Sequence, residues 1–206
     1  YSEPEQYTSI VDDSNMGSGR IGLEITQKWG FIDYNVNSIY SDITIKNVTT
    51  KAIQLPAVGY YIDWDLGGNL TASRNHIQLL ENGVPDNYKN DKGAALMVEI
   101  VDSAYPKFGM AVKSDDTDAM AQAAGLHYGI TADFNNEERI LALNSGKSWI
   151  VDTVYDVSMA MGMQWKNDLL PNESKTCKIC IAFGETQSKL EKELRNCING
   201  FISVNS

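Results

Sequence analysis

Apolar residues recur with a period of two along much of this chain. Ile21, Leu23 and Ile25 alternate with polar neighbours and lead into Trp29 and Phe31. Ile39–Lys46 and Lys175–Phe183 alternate in the same way, as expected of strands whose successive side chains face opposite sides. Ile53–Leu66 reads as a further strand region. Ala94–Val101 and Phe108–Val112 read as a strand pair around Tyr105–Pro106–Lys107, and Ser148–Met163 as one or two weaker strands. Asn47–Lys51 and Leu169–Ser174 are turns. Two segments carry helix signals. Asp116–Leu126 has Asp115 or Asp116 to cap it, alanines to fill it and Gly125 to stop it. Glu185–Asn199 ends at Gly200 and places Leu190, Leu194, Cys197 and Phe201 on one apolar face. Residues 67–93 are rich in Gly, Asn and Asp and read as a long excursion. Residues 1–18 form a polar lead-in, a linker or an arm, and 19–206 a single domain. The pattern predicts a mostly β protein, an antiparallel β-sandwich with one or two short peripheral helices.

Composition narrows the partners. The chain has 206 residues and a formal net charge of −10. That balance argues against nucleic acid and anionic membrane surfaces, both of which select Lys and Arg. No apolar run approaches the roughly 20 residues that span a bilayer, which argues against membrane insertion. The opening residues carry no basic and apolar leader pattern. Richness in Tyr, Thr, Asn and Gly leans towards an extracellular or cell-surface protein whose signal peptide has been removed.

Cysteine usage leaves two readings open. Of the three cysteines, Cys177 and Cys180 form CKIC within a predicted strand, so they fall on opposite faces and do not make a redox loop. All three, with Cys197, read either as buried thiols or as a disulfide tying the last helix to the strand through Cys197 and one partner. Zinc is disfavoured, because His76 and His127 are distant in sequence and no fourth ligand is evident.

The segment Gly59–Gly68 (GYYIDWDLGG) holds the densest candidate chemistry. Asp63 and Asp65 share one face of a strand end, with Trp64 opposite, and like charges that close need compensation. With Asn69 and Asp91, and with Asp86 as a further candidate, they offer oxygen ligands for Ca²⁺. The competing reading is a solvated strand end bonding turn amides. Paired carboxylates also raise glycan hydrolysis, and aromatics such as Trp29, Tyr60, Trp64 and Tyr88 raise a carbohydrate-binding platform. Val157–Ala160 superficially matches a subtilisin serine motif but lacks its flanking Gly-Thr and Pro. Core packing of Met159, Met161 and Met163 accounts for it better.

The order of LEITQKWGF, SDITIKNVTTKAI, VGYYIDWDLGGN, PKFGMAV, VYDVSMAMG and LLPNESKTCKICIAFGETQSKLEKEL resembles a β-sandwich module of large secreted Bacteroidetes-type proteins. Such modules often stand beside subtilisin-like proteases and sorting domains. The match spans roughly residues 20–200, and departs from the pattern at Asn172, where Gly is common. The resemblance implies a compartment and a fold, not a reaction. The expected function is therefore a non-catalytic extracellular module for surface attachment or structural assembly, with Ca²⁺ at the paired aspartates. A carbohydrate-binding module and a glycan-active enzyme are the alternatives. A protein partner or self-association is expected. Tyr7, Ile10 and Val11 in the β-prone stretch YTSIV would add a strand to a neighbouring subunit, or else belong to a frayed terminus.

Overall fold

The computed structural model describes residues 6–13, 20–31, 37–64, 66, 75–101, 103–127 and 157–200. Within them the chain forms β1 (Gln6–Asp12), β2 (Leu23–Phe31), β3 (Ser38–Asn47), β4 (Ala57–Trp64), β5 (Asn75–Leu79), β6 (Gly93–Ile100), β7 (Lys107–Lys113), β8 (Ala119–His127), β9 (Val157–Trp165), β10 (Ser174–Gly184) and one helix, α1 (Gln187–Asn199). A seven-stranded sheet runs β1-β2-β3-β10-β7-β6-β5, and a three-stranded sheet runs β4-β9-β8. Every pairing is antiparallel. The mostly β, antiparallel sandwich expected from the apolar period is the fold observed.

Alternation explains which side chains meet. Ile43 and Ile45 of β3, Cys177 and Ile179 of β10, Met110 and Val112 of β7, and Leu96 and Val98 of β6 face the smaller sheet. From that sheet Met159, Met161, Met163 and Trp165 of β9 fill the gap. The three methionines and Trp165 are fully buried, each such side chain contributing about 1.5–3 kcal/mol or more. The opposite face of the large sheet is covered by α1. Leu190, Leu194, Cys197 and Ile198 recur at helical spacing and pack on Tyr40, Ala95, Met97, Ala111, Cys180 and Ala182.

The helix begins at Thr186, whose hydroxyl accepts from the Lys189 N–H at 3.2 Å, a standard N-cap. It ends at Gly200, with a positive φ of 69°. A disulfide joins Cys180 of β10 to Cys197 of α1, and Cys177 stays a buried thiol on the other face. Of the open cysteine readings, the structure selects Cys180 as the partner of Cys197. Closing a loop of 17 residues stabilises the fold by about 3 kcal/mol in the chain-entropy account.

Three expectations differ from what is observed. Asp116–Leu126 is not a helix: Ala119–His127 is strand β8, paired with β9 along its length. Alanine's helix preference is weak, under about 1 kcal/mol per residue, and strand pairing plus burial of Ala119, Ala121 and Ala123 overrides it. The 67–93 excursion contains strand β5, which pairs with β6. The polar lead-in is neither a linker nor a free arm over residues 6–12, because β1 pairs with β2 in the chain's own sheet.

Two asparagines fix the connections around β10. Asn172 has φ 63° in a turn closed by the Glu173 N–H to the Leu170 carbonyl at 3.0 Å. Pro171 and then a left-handed residue describe a type II turn, so Asn replaces the commoner Gly because it tolerates that region. Asn47, fully buried, donates to the Lys51 and Leu169 carbonyls at 2.7 and 2.8 Å and accepts from the Thr49 N–H and hydroxyl at 2.9 and 2.7 Å. It clamps the end of β3 to the segment before β10. Asn47→Asp turns two donors into acceptors facing carbonyls, and should cost about 3 kcal/mol or more in urea unfolding; a loss below about 0.5 kcal/mol would show the clamp to be dispensable.

Candidate functional site

The residues named for assembly lie together on one strand. Tyr7, Ile10 and Val11 lie on β1, the terminal strand of the large sheet among the described residues, and all seven of its residues are exposed. The register pairs Tyr7 with Trp29, Val11 with Ile25 and Ile10 with Thr26. Directly opposed residues of an antiparallel pair share a face, so Tyr7 and Val11 lie on the sandwich side and Ile10 on the helix side. Trp29 is sheltered by Tyr60 of β4, ring centroids 5.3 Å apart. Beyond it Ile10 is 66% and Val11 56% exposed.

Polar contacts hold β1 in place. Gln6 Nε2 donates to the Tyr40 hydroxyl at 2.9 Å, across Gly30, where a Cβ would stand 2.7 Å from that oxygen. At the other end the Asp13 carboxylate accepts from the Ile21 and Gly22 N–H groups at 2.5 and 2.6 Å. Burial opposes its charge, but the Gly22, Ile21 and Leu23 amides and Arg20 outweigh that and hold the carboxyl below its ordinary range.

Of the proposed calcium ligands Asp63, Asp65, Asn69 and Asp91, only Asp91 has a described side chain. Asp63 sits in β4 opposite Ser158, but its side chain, like Asp65 and Asn69 as a whole, lies outside the described residues. Asp91 lies elsewhere. Its carbonyl accepts from the Ala121 N–H, beyond the far side of β8, and its carboxylate pairs with Lys166 at 3.2 Å. Along the strands, Ala121 stands five residues from the level of Asp63, about 16 Å at the strand rise, and β9 intervenes. Asp91 is therefore removed from any ligand set centred on Asp63. Asp86 pairs with Lys89 at 2.7 Å. Among the described residues no three His, Cys, Asp or Glu are grouped to hold a metal.

The Asp115–Asp118 run forms the corner where the chain crosses from β7 to β8, between the sheets. Asp116 accepts from the buried Trp165 indole N–H at 2.9 Å and from the Thr176 N–H at 3.2 Å. Asp118 accepts from Lys175 Nζ at 3.0 Å and the Asn167 N–H at 3.2 Å, and both members of this ion pair are buried. Burial opposes both charges. Mutual hydrogen bonding and attraction prevail, so Asp118 titrates below its ordinary value and Lys175 above its own.

Sequence reasoning missed a charged ladder on β5, β6 and β7. Glu99 Oε1 lies 3.4 Å from His76 Nδ1, and its other oxygen bonds Lys107. Burial raises the Glu99 pKa, but Lys107 and His76 more than offset it. Only strand register makes these residues neighbours (His76 opposite Glu99, Glu99 beside Lys107), so no local spacing signals them. The named aromatics pack largely inward: Trp29 against Tyr60, and Trp64 against Phe108 at 5.6 Å. Tyr88 lies under the Lys113 ammonium, 4.7 Å from its ring centre.

No protein-family model and no curated protein matches this chain. Among solved structures, one from Klebsiella pneumoniae subsp. pneumoniae, provisionally designated an aldose 1-epimerase, aligns with a TM-score of 0.42 and 7% identity. The alignment covers 92% of this chain and 53% of that one, so the chain spans about half the length of that protein.

The Asp118–Lys175 pair has a defined pH signature. A carboxylate whose folded pKa is depressed contributes stability above its unfolded value and loses it as the pH falls through the folded one. The Asp118→Asn variant should melt well below wild type at pH 7. The gap should narrow as the pH drops past the ordinary 3.8 of aspartate. A gap independent of pH would assign the loss to packing and not to charge.

Proposed function

We propose that this chain is a non-catalytic extracellular β-sandwich module that attaches or assembles through protein contacts. One observation carries the reading: a seven-residue terminal strand, β1, exposes Ile10 and Val11 and has no Lys, Arg, Pro or bulge to deter strand pairing. The Cys180–Cys197 disulfide supports an oxidising compartment, where such bonds persist. An acidic surface supports the exclusion of nucleic acid. Among the described residues no helix is long and apolar enough to cross a membrane.

Two experiments test this. Antibody against the domain should label intact cells of the source organism, and acid-quenched alkylation should find Cys180 and Cys197 oxidised. Labelling only after permeabilisation, with both thiols free, would overturn the extracellular reading. We further propose a hard cation at Asp63 and Asp65, which rests on their sequence spacing. Calcium should raise the melting temperature of wild type and leave the Asp63→Asn/Asp65→Asn double variant unmoved; an equal response in both proteins would place the ion elsewhere.

A further inference from the structure

We infer that β1 pairs edge to edge with β1 of a second copy, antiparallel about a two-fold axis at Ser9, joining two large sheets into one. This rests on the assembly reading above and specifies its partner and geometry. β1 has seven residues, and the two-fold register centred on Ser9 uses all of them. Tyr7 of each copy then faces Val11 of the other, Thr8 faces Ile10, and Gln6 faces Asp12. Apolar side chains meet apolar or β-branched ones, and each Asp12 stands opposite an uncharged residue.

Charge permits a second copy in this register. The chain carries a net charge of −10, so most faces of two copies repel. Across β1 the only ionised side chains are the two Asp12 carboxylates. The two-fold places them six residues apart along the strands, about 20 Å, well beyond the Debye length of about 8 Å at physiological salt. A centre at Ile10 would shorten the pairing to five residues and put Asp12 against Thr8.

The flanking structure suits the same arrangement. A two-fold perpendicular to the sheet keeps its faces, so the sandwich sides of both copies stay together. Tyr7 and Val11 of the two strands would then adjoin one another beside Phe31, which is 49% exposed. Backbone hydrogen bonds along the edge supply affinity, as in strand-addition complexes. The sheet's other terminal strand, β5, has five residues and carries the His76–Glu99 pair on its border, a less inviting edge. The interface is smaller than a standard one, so the dimer should be reversible.

Sedimentation equilibrium of the 206-residue chain should show a monomer–dimer equilibrium. Ile10→Lys, at an exposed position, should weaken it at least tenfold without altering the melting curve. Ser9→Cys places two thiols on the axis, so mild oxidation should give a covalent dimer faster than Thr8→Cys, whose thiol faces Ile10. Cys177 is buried and does not compete. A monomer at all concentrations, with no preference for Ser9→Cys, would overturn the proposal. So would a dimer indifferent to Ile10→Lys with Ser9→Cys no faster than Thr8→Cys. That second result leaves assembly through another face standing, while failure of the extracellular reading is registered by surface labelling instead.

Discussion

The structure depends on burying both faces of one strand. β10 is the middle strand of the seven. Its Cys177 and Ile179 face the smaller sheet, and its Cys180 and Ala182 face the helix. A sheet apolar on both sides must be covered on both. Among the described residues three strands cover one face and one four-turn helix covers part of the other. The disulfide sits where this demand is greatest, binding the covering helix to the central strand. Lys178, on the helix side, meets Asp42 at 3.3 Å and lies over the Tyr40 ring. A Cβ at Gly200 would stand 3.5 Å from its ammonium, so the charge lies near the helix C-terminus, where cations are favoured.

Polar residues act chiefly where the chain leaves one sheet for the other. Asn47 satisfies its amide on both sides of the β3 exit, and Asp116 and Asp118 tie the β7–β8 corner to Trp165, Thr176, Asn167 and Lys175. Buried polar groups are costly when unpartnered and specific when satisfied. These contacts select one crossing geometry from the many an apolar core alone would allow. The acidic run that suggests a helix cap in sequence is spent on that corner.

Among the described residues the small sheet has fewer strands than the large one, and this mismatch shapes the surface. Three strands cannot cover seven, so the terminal strand β1 extends past the shelter of β4, with Trp29 at the boundary. Asp13 and Gln6 hold β1 onto the sheet without burying its side chains. The result is a firmly placed strand with exposed apolar side chains, which suits lateral association.

Strand positions were legible in sequence wherever one face is buried and the period of two is clean, as in β2, β3 and β10. The closing helix was legible through its cap, its glycine stop and the spacing of Leu190, Leu194 and Cys197. The segment around Ala119–Ala124 was not, because alanine fits both a helix and a close-packed strand, and pairing with β9 decided between them. Tyr7, Ile10 and Val11 were recognisable as β-prone, but whether they pair within the chain depends on β2. Likewise the choice of Cys180 as the partner of Cys197, the Asp118–Lys175 pair and the His76–Glu99–Lys107 ladder arise from register between distant segments. Local chemistry thus set the fold class and the elements with a strong period. Tertiary structure decided which faces meet and which charges pair, because those energies exist only once separate strands are brought together.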